Sequence, residues 1–181
     1  MVLGIIFFAY TSWSSHNSVF HAPATEHTVM IDSMHTELDG LNDLLGLHLE
    51  TQTVTNHILA DADLSDDIHA LAQTLLDNSN GVLTGLGRET EVLYPGKNGV
   101  SGYESMAHDD MNMDVNARAV NFLQEAAAFN QHGLELAKRL QDSTSHNVVL
   151  HIAQQEIDFR TSLNTTLRTL FSKYGLSPSG I

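Results

Sequence analysis

The chain has 181 residues, 42% of them hydrophobic, with 22 acidic side chains against 8 basic ones, a formal net charge of -14 and no cysteine. That length and apolar content suit one globular domain around one core. The acidic balance, with no basic stripe to override it, argues against nucleic acid as a partner and leaves cations or basic partners, while the missing thiols exclude disulfides, thiolate zinc sites, iron–sulfur clusters and covalent c-type haem.

In chain order, the apolar run Met1 to Tyr10 comes first, followed by the polar stretch Thr11 to Asn17. The run is too short for a spanning helix, which takes about 20 residues. It fits the apolar region of a secretory signal that lacks a basic start, with Val19-Phe20-His21-Ala22 as a cleavage candidate. The alternative is a short apolar anchor that packs on the bundle or on a membrane partner. Residues 1–22 are thus expected to be a signal or anchor, and 23–181 a helical domain in the periplasm or outside the cell.

Four segments then carry apolar residues at alternating steps of three and four, the spacing of one helical face. The first runs through Leu38, Leu41, Leu45, His48, Gln52, Thr55 and Leu59, and the second through Ile68, Leu71, Leu75, Ser79, Val82 and Leu86. The third runs through Ala119, Phe122, Ala126, Phe129, Gly133, Leu136 and Leu140, and the fourth through Val149, Ile152, Glu156, Phe159, Leu163, Leu167 and Leu170. Helices are expected near 27–60, 65–88, 114–141 and 147–174. Ser65 is the expected N-cap of the second helix, and Gly175 with Pro178 the stop of the fourth. Phe122, Phe129, Ile152, Phe159 and Leu163 are the expected core of the second half.

The connections decide the architecture. Only a few residues, Asp61 to Ser65 and Asp142 to His146, separate the first helix from the second and the third from the fourth, which forces antiparallel neighbours. The one long loop, Glu89 to Met113, lies between the two hairpins. No strand pattern surrounds it, so the fold class is all-α, an antiparallel four-helix bundle. The halves also echo each other at one constant offset: His69-Ala-Leu-Ala72-Gln73 matches Leu150-His-Ile-Ala153-Gln154, Leu86 matches Leu167, and Leu45 matches Ala126. Duplication of one hairpin accounts for this, and so does the likeness that any two helices of the same apolar period share.

The stretch Phe122 to His132, then Glu135-Leu-Ala137 and Ala153-Gln154, resembles the ferritin-like bundles of the domain-of-unknown-function families 305 and 4142. The resemblance covers roughly residues 40 to 90 and 115 to 178. It implies a ferritin-like bundle and, through the first family, copper handling in an exported protein. The histidine pair of that family falls on His48 and Leu49 in the first half and on Phe129 and Asn130 in the second. The Asp-His step of the other family falls on Asn78-Ser79 and Phe159-Arg160. Of the ligands the resemblance implies, only His48 carries over.

Three groups remain as candidate ligands. His48 and Glu156 occupy stripe positions, the first well before the turn residue Asp61 and the second well after the turn residue His146. Measured from one end of an antiparallel bundle, both lie about 15–20 Å deep at roughly 1.5 Å per residue, with Gln52, Asn130 and His132 near them in register. Such a pair can bind a metal ion or form a hydrogen-bonded layer that fixes the bundle's register. The loop run Met106, His108, Met111 and Met113 offers three thioethers and an imidazole, soft ligands suited to copper and to Cu(I) above all, or else packs as an apolar lid. The N-terminal residues His21, His27, Met30, Met34 and His35 form a weaker third set. His16, His57, His69, His146 and His151 read as surface or helix-end residues.

No Glu-x-x-His lies on these helices, so a dimetal oxidase site is excluded. Asp61-Ala-Asp63-Leu-Ser65-Asp66 lacks the Gly and Glu of a calcium loop and reads as helix capping. No phosphate loop, zinc-protease motif or nucleophile elbow occurs. Two functions stay open: an exported, non-enzymatic bundle that binds a soft metal ion such as copper, and a structural or interaction module that docks on a protein or membrane complex through its loop or N-terminal segment.

Overall fold

A computed structural model of the chain describes residues 24–97 and 113–177, with the side chains of 24–35 outside that description. The chain divides into residues 1–32 and 33–181; of the first unit only the opening of a helix is described, and the bundle belongs to the second. Helix α1 spans Ala24–Ala60, α2 Asp66–Leu93, α3 Val115–Ser143 and α4 Asn147–Lys173. Among the described residues there is no strand. The fold is an all-α antiparallel four-helix bundle made of two hairpins. No described helix is long and apolar enough to cross a membrane.

The helix ends follow local chemistry. Asp114 caps α3 by accepting the Ala117 amide proton at 2.9 Å. Gly175, at φ 70, ends α4 in a Schellman turn, in which the Leu176 amide donates to Phe171 O at 2.8 Å. Two expectations need correction. Helix α2 runs past 88 to Leu93, because Thr90 continues the buried face one turn after Leu86 and returns its hydroxyl to Leu86 O at 2.8 Å. The helix then stops where Pro95 cannot continue it and Gly96 takes φ 69. Ser65 does stand at the N-cap of α2, but its hydroxyl makes no capping bond; it meets the Tyr174 hydroxyl at 2.8 Å.

Contacts between distant residues fix the topology. At one end, Arg118 at the start of α3 makes a two-pronged bond to Asp61 of the α1–α2 turn (2.7 and 3.3 Å), and Lys173 of α4 pairs with Asp67 of α2. At the other end, His146 of the α3–α4 turn bonds Glu37 of α1 at 2.8 Å. The two short turns therefore lie at opposite ends, and the connection from Tyr94 to Asp114 joins one end to the other. A single long crossover between hairpins is the connectivity that ferritin-like bundles use. About twenty residues at up to roughly 3.3–3.6 Å each comfortably exceed the length of a 28-residue helix at about 1.5 Å per residue.

The apolar core is split in two. One cluster, at the Asp61 end, gathers Ile58, Leu64, Ile68, Leu71, Leu75, Phe122, Leu123, Ala126, Leu163 and Leu167. The other, at the Glu37 end, gathers Leu41, Leu44, Leu45, Val82, Leu86, Leu136, Leu140 and Val149. Phe122 and Leu163 are buried as expected, but Phe129, Ile152 and Phe159 are only half-buried flank residues packed against these clusters. Their chain neighbours Asn130, Ala153 and Arg160 take the inward places.

Candidate functional site

Between the two apolar clusters all four helices contribute polar groups. His48 comes from α1, Asn78 and Ser79 from α2, Asn130 from α3, and Glu156 and Arg160 from α4. His48, Glu156 and Arg160 are 0%, 1% and 1% exposed, which is rare for ionisable side chains unless they are paired. Glu156 lies at the centre. Its Oε1 accepts from Arg160 Nε at 2.6 Å, one helical turn along α4, and its Oε2 accepts from Asn78 Nδ2 at 2.9 Å. The imidazole Nε2 of His48 stands 3.0 Å from Oε1, an ion-pair contact whose geometry falls short of a hydrogen bond. The other ring nitrogen, Nδ1, shares a hydrogen bond with Ser79 Oγ at 3.1 Å.

Arg160 reaches across to α3, where Nη1 donates to Phe129 O at 2.6 Å. Its guanidinium lies directly over Gly133, where an added Cβ would collide with the guanidinium carbon. The glycine is the seat of the arginine. Asn130 steadies the same crossing by donating to Arg160 O at 3.2 Å and to Asn164 Oδ1 at 2.7 Å. Thr51 and Thr55, buried beside His48 on α1, satisfy themselves by bonding back to Leu47 O and Thr51 O, both at 2.8 Å. A groove of about 420 Å³ between α2 and α4 reaches this layer, with Asp77, Gly81 and Gln155 among its walls.

Burial by itself raises the pKa of Glu156. The adjacent His48 imidazole, the charges of Arg160 and His48, and the Asn78 amide outweigh it and hold the carboxyl at about 2, against an ordinary 4.5. The group is therefore a carboxylate at neutral pH, paired with a guanidinium that does not deprotonate in proteins.

His48 and Glu156 do meet, as the sequence suggests, but not through the expected register. Their depths are measured from opposite ends of the bundle, and the path back from Asp61 along α1 and the path forward from His146 along α4 both arrive near mid-bundle. Asn130 joins the layer. Gln52 instead bonds Asn80 at the exposed edge, and His132 faces solvent. The apolar period does not mark Arg160, Asn78 or Gly133 as members of a polar layer; the signal that could find Arg160 is its i,i+4 relation to Glu156 on one helical face. Met106, His108 and Met111 lie outside the described residues, as do residues 1–22 and the side chains of His27, Met30, Met34 and His35. Met113 is described: it is 40% exposed, and its sulfur accepts from Asn121 Nδ2 at 3.1 Å.

Copper, which the family resemblance implies, does not fit this layer. His48 and Glu156 supply two donors, and the oxygen nearest His48 already carries a fixed cation, so a metal ion would stand against the Arg160 charge. Among the described residues no three His, Asp or Glu side chains converge as a metal-ligand group. In comparisons with known proteins, no family model, no curated protein and no solved structure matches the chain.

Proposed function

We propose that the protein is a non-enzymatic helical module of the structural and interaction class, and that the His48–Glu156–Arg160 layer locks its two hairpins in one register. One observation carries this reading: the Glu156 carboxylate is already engaged by three residues on three helices, with Arg160 seated over Gly133. A filled ionic layer between two apolar clusters resists sliding, because a shift of one helix strands a buried charge, at a cost of about 3–5 kcal/mol. The long loop and the N-terminal segment are then the parts left to meet a protein or membrane partner. The ring resonances of His48 test this. Zn²⁺ or Cu(I) added to the full chain should leave them unmoved, and a stoichiometric shift would sink the reading.

A second reading keeps soft-metal binding, copper above all, outside the core, at Met106, His108, Met111 and Met113 of an exported protein. It is favoured by Met113, whose thioether stands half-exposed at the head of α3 beside Asp114. Replacing the three methionines with leucine keeps the apolar volume roughly constant and removes every sulfur. Cu(I) affinity measured against a competing chelator should fall sharply; equal affinity excludes the cluster.

A further inference from the structure

The groove between α2 and α4 is graded from polar to apolar along its length. Asp77 and Asn78 of α2 meet Glu156 of α4 at one end, and Gly85 of α2 meets Ile152 of α4 at the other, with Gly81 and Val82 between. The gradient follows from the antiparallel packing, which sets the polar turn of α2 against the polar turn of α4 and the apolar turn of each against the other. From Asp77 to Gly85 is about 12 Å at about 1.5 Å per residue. The volume, about 420 Å³, falls within the roughly 300–1,000 Å³ of small-molecule sites. Glycine makes the room: an added Cβ at Gly81 would meet nothing within 4 Å, and one at Gly85 would touch only Ile152 Cδ1, at 3.4 Å.

The polar end offers acceptors and negative charge. Asp77 is exposed at the rim and takes a bond from the neutral Gln73 amide at 2.8 Å. Glu156 Oε1 is occupied by Arg160 and His48, but Oε2 takes the Asn78 amide at 2.9 Å and keeps a second lone pair. The Arg160 charge balances Glu156 and leaves the charge of Asp77 over. A matching ligand therefore donates hydrogen bonds and carries one positive charge at this end, and brings an apolar body to Val82 and Ile152 at the other. We propose that the groove binds a small organic monocation, a primary ammonium or guanidinium on a short hydrocarbon body. Its head lies between Asp77 and Glu156 Oε2, and its body lies over Gly81 and Gly85. The net charge of -14 raises the local concentration of such cations. Because the ligand uses only the spare lone pair of Oε2, the bonds that hold the register stay in place when it is bound.

The test is a titration of n-hexylammonium into the full chain, read from the amide resonances of Gly81 and Gly85, with n-hexanol and hexanoate as its neutral and anionic matches. Three variants accompany it. Gly81→Leu fills the groove, Asp77→Asn removes the rim charge and keeps the shape, and Gly87→Leu is a control at a helical glycine outside the groove that also has nothing within 4 Å. None of the three alters a core contact, so each should keep the wild-type melting transition or exceed it. The expected result is a saturable shift at Gly81 and Gly85 with a Kd of about 1 mM or tighter. Hexanol and hexanoate should bind about tenfold more weakly or not at all. Gly81→Leu should abolish binding, Asp77→Asn should weaken it about threefold or more, and Gly87→Leu should bind as the wild type does. No saturable shift in the wild type, equal affinity for hexanol, unchanged binding in Gly81→Leu or Asp77→Asn, or loss of binding in Gly87→Leu would each overturn the proposal.

Discussion

Gly133 and Gly81 sit in helix interiors and should answer the same substitution with opposite signs. Alanine normally gains about 0.5–1 kcal/mol over glycine in a helix. At Gly81 a Cβ meets nothing within 4 Å, so Gly81→Ala should stabilise by that amount. At Gly133 the Cβ drives into a guanidinium that is itself fully packed, and Gly133→Ala should cost about 1–3 kcal/mol net. Urea midpoints of the two variants check the pair. Burial likewise separates two phenylalanines on α3. Phe122→Ala should lose about 3–5 kcal/mol, and Phe129→Ala less, because only the first is enclosed on all sides. Glu156 sets a pH dependence. Its folded pKa, about 2, lies below its ordinary 4.5, so its contribution is complete above that value and drains away as pH falls toward about 2. The loss amounts to about 3 kcal/mol at roughly 1.36 kcal/mol per unit. Unfolding free energies from pH 6 to 2 should show that decline, and Glu156→Gln should start lower and fall less steeply.

Each hairpin closes on itself by equivalent positions. Within the first, His48 of α1 meets Ser79 of α2; within the second, Phe129 O of α3 meets Arg160 of α4. Both pairs have the same separation along the chain, and the offset that matches Leu86 with Leu167 carries His48 onto Phe129 and Ser79 onto Arg160. The equivalent contact is a neutral bond in one hairpin and the root of an ionic network in the other. Helix positions and hairpin pairing are legible in the sequence because runs such as Leu71, Leu75, Ser79, Val82 and Leu86 carry the helical period with little competition. Inward facing within α3 and α4 is less legible. Periodicity awards the core place to Phe129 and Phe159 over their neighbours Asn130 and Arg160, and only the seat at Gly133 and the Glu156 carboxylate reverse that choice. Of the positions onto which the resemblance maps family ligands, His48, Asn78, Ser79, Asn130 and Arg160 lie in one layer, whereas Leu49 is exposed and Phe159 packs against an apolar cluster. At the ends of the elements, Ser65→Ala should disturb the Tyr174 contact while leaving the start of α2 intact, a cost of about 0.5–1.5 kcal/mol with no loss of helical circular dichroism.

At the scale of the whole molecule, loop length alone leaves the topology ambiguous. The connection between α2 and α3 can return at the same end or cross to the other, and the contacts Asp61–Arg118 and Glu37–His146 decide for crossing. The crossover makes every described hairpin and cross-hairpin contact part of one bundle with a single admissible register, in which two apolar clusters flank one ionic layer. Apolar packing supplies most of the stability and tolerates sliding by a turn, whereas the layer does not. The amide correlation spectrum of the variant His48→Leu, Glu156→Met, Arg160→Met tests this most directly. Replacing all three ionic groups together strands no charge, so helix content should hold. The account predicts that the single set of dispersed resonances gives way to broadened or multiple sets as the hairpins slide. A variant that keeps one sharp, native-like set would contradict it.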